Sequence, residues 1–64
     1  MENLCEKVRE ALDNSVENGY TNFLFTSTDS QIANDLREYY SDLEDEDATE
    51  IIPFILEWRR EKRL

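Results

Sequence analysis

The chain has no histidine, and only one cysteine, one glycine and one proline in 64 residues. Each shortage removes a class of protein. Without histidine there is no imidazole to serve as general base near neutral pH, and Cys5 lacks the partner that would make it a nucleophile. A single glycine excludes a glycine-rich phosphate loop. One cysteine cannot close an internal disulfide, and no cysteine–histidine group resembles a zinc site. A lone thiol without a disulfide framework suits a reducing compartment, so a cytoplasmic location is expected. The opening Met1-Glu2-Asn3 is not basic and apolar runs are at most a few residues long, so neither a secretory leader nor a membrane span is expected.

Positive charge is scarce too. Seven Lys and Arg face 16 Asp and Glu, a net charge of −9. Residues 1–58 hold fifteen acids against three bases, or −12, whereas residues 59–64, "RREKRL", hold four bases against one acid, or +3. A field of this sign repels nucleic acid and anionic membranes and attracts basic surfaces. Solubility alone is the plainer explanation of the charge. The seven aromatics and frequent Leu, Ile and Val nevertheless place the chain outside the composition of disordered segments. Its length allows one domain, residues 1–64, which buries only about 60% of its unfolded surface and has little stability to spare.

What the chain does contain is helical periodicity. Spaced about 100° apart, residues 2–17 put Leu4, Val8, Ala11, Leu12 and Val16 on one face and Glu2, Glu6, Glu10, Asp13 and Glu17 on the other. Asn18-Gly19 is a stop signal. Thr28 and Gln31 have capping-box spacing, with Asp29 beside them at the positive end of the dipole. A helix over residues 29–43 then carries Ile32, Leu36, Tyr39 and Leu43 on one stripe, flanked by Ala33 and Tyr40. A third helix begins by Glu50, with Asp47 and Thr49 as rival caps; the Thr49 start leaves Pro53 in the first turn, the Asp47 start sets it deeper and kinks the helix. Its basic end, Arg59 to Arg63, suits the negative end of the dipole.

Between the first two helices "YTNFLFTS", residues 20–27, shows no helical period. A lone strand there has no partner for its backbone, so an extended connector tucking Phe23 or Phe25 under the helices is expected. The fold class is therefore all-α: a small three-helix unit with an extended aromatic connector between helices 1 and 2. The expected core is Leu4, Val8, Leu12, Val16, Phe25, Ile32, Leu36, Tyr39, Leu43, Ile51, Phe54, Ile55 and Trp58.

The acidic run "SDLEDEDATE", residues 41–50, invites a metal reading that its register defeats. Counted from Asp42 or from Asp45, an EF-hand loop lacks its glycine at position 6 and its glutamate at position 12. No metal, cofactor or catalytic role is expected, and the chain does not read as an enzyme. Four bases in "WRREKR" neutralise too few phosphates for direct nucleic-acid binding against a −12 remainder. The basic segment is also too short for a membrane-surface helix.

Protein binding is what survives. Glu2, Glu6 and Glu10, four apart, stand roughly 6 Å from one another along a helix. Asp35, Glu38 and Asp42 add a second line, and Glu44, Asp45, Glu46 and Asp47 cap it. Such a surface can imitate nucleic-acid phosphates, which makes a non-enzymatic regulator or inhibitor of a basic, nucleic-acid-binding protein the leading expectation. A second expectation starts from helix three, where Ile52 and Leu56 widen the apolar arc to about 200°. With Arg59 and Arg63 they form a protein-interaction face, most simply that of a homodimer. The same arc also fits a central helix covered on both sides.

Overall fold

A computed structural model describes residues 3–62. It is all-helical: α1 (Leu4–Glu17), α2 (Thr21–Thr26), α3 (Asp29–Tyr39), a 3₁₀ turn (Ser41–Leu43) and α4 (Ala48–Lys62).

The caps explain most boundaries. Asn3 accepts from the Glu6 N–H at 2.8 Å and starts α1. At the other end Gly19 takes φ +89°. Its N–H bonds the Val16 carbonyl and the Tyr20 N–H bonds the Ser15 carbonyl, both at 3.0 Å. This is a complete Schellman closure, and its left-handed residue favours glycine. The Thr28–Gln31 capping box closes in both directions at 3.2 Å and begins α3. For α4 the cap is Asp47, whose carboxylate accepts from the Thr49 N–H and hydroxyl, each at 2.9 Å. Pro53 consequently lies inside the helix. It has no N–H for the Thr49 carbonyl four residues earlier, but both residues are exposed, so water can serve that carbonyl.

α4 is the central element, packed against both α1 and α3. Ile51, Ile55 and Trp58 are at most 1% exposed on its inner face, against Val8 and Leu12 of α1 and Ile32, Ala33 and Leu36 of α3. Ile52 and Phe54 are half-buried against the same core. Trp58 gathers three helices: its indole N–H donates to Asp13 at 2.9 Å, its ring stacks on Phe25 at 5.6 Å between centroids, and Lys62 lies 5.9 Å from the ring centre.

Several expectations need correction. Residues 21–26 are not an extended connector but the short helix α2, which buries Leu24 fully and Phe23 and Phe25 in part. Six residues are under two turns, too few to display a period. The second helix stops at Tyr39 and not at residue 43, because Tyr40 turns extended (φ −121°, ψ 110°). The chain then tightens into the 3₁₀ turn, which brings Leu43 to full burial. That break reverses the two tyrosines. Tyr39 is 71% exposed, while the half-buried Tyr40 sends its hydroxyl to Asn14 Oδ1 at 2.9 Å and to Ser15 Oγ at 3.1 Å. Val16, expected in the core, is 38% exposed; Ser15 is buried in that turn, its hydroxyl donating to the Ala11 carbonyl at 2.9 Å. Glu2 and Arg63 lie outside the described residues.

Two stability predictions arise here. Asp13→Ala strands the buried indole N–H of Trp58 and should cost about 1–2 kcal/mol in urea unfolding followed by Trp58 fluorescence; an unchanged midpoint would show that the bond contributes nothing. Gly19→Ala should cost about 1 kcal/mol in the same assay, through its backbone angle alone, since an added Cβ meets no atom within 4 Å.

Candidate protein-binding surface

The acidic residues distribute over three elements and a loop. Glu6 and Glu10 are exposed on α1, Glu38 is exposed and Asp35 half-buried on α3, and Asp42 is exposed on the 3₁₀ turn. In the loop that follows, Glu44 and Asp45 are exposed and Glu46 is half-buried. Asp47 is exposed too, but its carboxylate is occupied as the cap of α4, and the two bonds from Thr49 hold it below the usual carboxylate range.

Two adjoining depressions organise part of this face. The first, about 240 Å³, is lined by Lys7, Glu10, Ala11, Asn14, Tyr40, Asp42 and Leu43, and so brings Glu10 and Asp42 together from separate elements. The second, about 420 Å³, lies between α1, α2 and α3 and is lined by Asn14, Ser15, Asn18, Tyr20, Phe23, Asp35, Tyr39 and Tyr40. Asn14 and Tyr40 belong to both. Glu6, Glu38, Glu44, Asp45 and Glu46 line neither of them.

The shared wall is internally bonded. Asn14 Oδ1 accepts from the Tyr40 hydroxyl at 2.9 Å and from Asn18 Nδ2 at 3.0 Å. The hydroxyls of Ser15 and Tyr40 have two protons for three contacts: Ser15 to the Ala11 carbonyl, Tyr40 to Asn14, and Ser15 to Tyr40. Acceptor capacity is therefore left over in the wall. Asp35 differs from its neighbours. Burial, and secondarily the charge of Glu38, push its carboxyl above the usual range.

Residue spacing alone missed the aromatic part of this surface. Tyr20 is 59% exposed and Tyr39 71%, and with Phe23 they flank the larger cleft. The doublet Tyr39-Tyr40 was the available signal, since successive side chains on a helix diverge by about 100°.

The residues of the apolar alternative are more dispersed. Ile52 is packed against the core, and Leu56, 44% exposed, shares a depression of about 320 Å³ with Asp29, Arg59 and Arg60. Arg59 is tied to Asp29 at 2.7 Å, which joins α4 to the first turn of α3. A further depression of about 500 Å³ runs past Val16, Phe25, Trp58 and Lys62. Cys5 is half-buried, and among the described residues no three Cys, Asp or Glu side chains converge as metal ligands would. No helix among them is long and apolar enough to cross a membrane.

The raised carboxyl of Asp35 carries a pH signature. A folded-state value above the unfolded one favours folding at low pH, and that contribution is lost as pH rises through the raised value. Asp35→Asn should therefore raise the melting temperature at pH 7 and bring no gain at pH 3. Thermal melts at the two pH values check this, and an equal gain at both would refute it. Asp47 has the opposite sign: its lowered value stabilises above the carboxylate range and is lost as pH falls through it.

Compared with protein-family models, with curated proteins and with solved structures, the chain finds no match.

Proposed function

We propose that this chain is a non-enzymatic regulator that docks its acidic face on a basic surface of a partner protein, in the place that nucleic-acid phosphates occupy. The observation that carries the reading is where the cations go. Two ion pairs join described residues, Arg9 with Glu61 and Arg59 with Asp29, each at 2.7 Å, and Lys62 lies over Trp58. The two arginines join α4 to its neighbours, and Lys62 lies over a ring of its own helix. Glu38, Asp42, Glu44 and Asp45 lie elsewhere, exposed.

Like charges four apart on a helix cost about 0.2–0.5 kcal/mol per pair. A surface of Lys and Arg relieves repulsion of that kind. The distribution over α1, α3 and the 3₁₀ turn suits a broad basic face better than a single small ligand.

The test is capture of partners from a cell lysate on immobilised protein, with elution by duplex DNA, by salt or by detergent. A basic nucleic-acid-binding protein released by DNA is expected. It should be released about equally well by a few hundred millimolar salt, since such contacts are screened over about 10 Å or less. The variant carrying Glu38→Lys, Asp42→Lys and Asp45→Lys should keep the fold, because surface changes of this kind are worth within about 0.5 kcal/mol each, and should capture none of it. Retention of the same partner by this variant would refute the reading. Release by detergent alone would transfer the interface to Leu56 and its surroundings on α4.

A further inference from the structure

We infer that the cleft between α1, α2 and α3 is a receptor for an arginine side chain of the basic partner, with Asp35 as counter-ion and Tyr20, Phe23 and Tyr39 as its aromatic wall. The inference rests on the reading that the acidic face binds a basic protein, and it adds the point at which that partner is anchored.

Charge comes first. The side chains lining this cleft include one carboxylate and no cation. The other three depressions each hold their own cation: Lys7 in one, Lys62 in another, Arg59 and Arg60 in the third. Among the described residues nothing donates a hydrogen bond to the Asp35 carboxylate or pairs with it. Burial and Glu38 already oppose its charge, so an arriving cation relieves a standing penalty.

The walls point to a particular cation. Exposed Tyr20 and Tyr39 present large apolar area, with Phe23 between them in sequence and half-buried on α2. Aromatic faces attract cations, and a guanidinium suits them better than an ammonium, because it is planar, weakly hydrated and able to stack while forking onto a carboxylate. The spare acceptor capacity of the Ser15 and Tyr40 hydroxyls can take its remaining N–H groups. A volume of about 420 Å³ admits the side chain and the backbone that carries it.

The probe is N-acetyl-arginine methylamide, titrated into ¹⁵N-labelled full-length protein, with the uncharged N-acetyl-norleucine methylamide as its match. Arginine should shift the amides of Tyr20, Phe23, Asp35 and Tyr39. Ring currents should move the arginine δ-protons upfield. Asp35→Asn should weaken binding about tenfold and Tyr39→Ala comparably, while Glu57→Gln, exposed on α4, leaves it unchanged. Tyr39 is 71% exposed, so its loss does not threaten the fold. Equal binding of the norleucine compound would overturn the inference. So would shifts scattered over all the carboxylates and indifferent to Asp35→Asn, or no shift in the cleft at all. Each of these leaves the acidic-face reading to the capture experiment, which reads partner release and not this cleft.

Discussion

The structure depends on the placement of one indole. Trp58 is 1% exposed, yet its N–H reaches a carboxylate, its face meets a phenyl ring, and a lysine lies over it. Those contacts come from α1, α2 and α4. In a chain of 64 residues the apolar area that folding removes from water barely exceeds the conformational entropy it costs. A side chain that serves three helices at once orders several segments with one burial. α4 can carry it because its inner face is continuous from Ile51 to Trp58, and because Pro53 falls on the outer side, where its missing N–H disturbs no buried bond.

The charged residues divide along the same line. Arg9 reaches from α1 to Glu61 of α4, and Arg59 from α4 to Asp29 of α3. Both pairs lock the last turns of α4 to a neighbour, and Arg9 forks onto its carboxylate with two bonds of 2.9 and 2.7 Å. Asp35 and Glu38 of α3, and the acids of the 3₁₀ turn and of the loop before α4, are not members of these pairs. An uneven sequence, −12 before residue 59 and +3 after it, becomes an uneven surface because the basic end is drawn onto the helices it fastens. An exposed pair such as Arg9–Glu61 contributes little by itself; the larger effect of the two pairs is on where negative charge is left.

The three long helices were legible because each has a period and at least one cap. Asn18-Gly19, Thr28 with Gln31, and Asp47 all act as their chemistry predicts. Two features were not legible. α2 is shorter than the period that would reveal it, and its β-branched and aromatic residues resemble a strand. The end of α3 carries no glycine or proline; it is set by tertiary bonds from Tyr40 to Asn14 and Ser15, partners about 25 residues away in the chain. The same two features build the cleft between α1, α2 and α3. Spacing could find carboxylates on helix faces, but it could not find a cleft whose walls come from an unrecognised helix and from a tyrosine turned outward by an unsignalled break.

The Schellman closure at Gly19 has a consequence for that cleft. Asn14 and Asn18 stand on one side of the corner, Tyr20 and Phe23 on the other, and two backbone bonds of 3.0 Å hold the corner shut. The two walls are thus a single hydrogen-bonded piece of chain and not two loops that must find each other. A guest arriving there meets a surface already in its bound shape, and little backbone freedom remains to be lost on association.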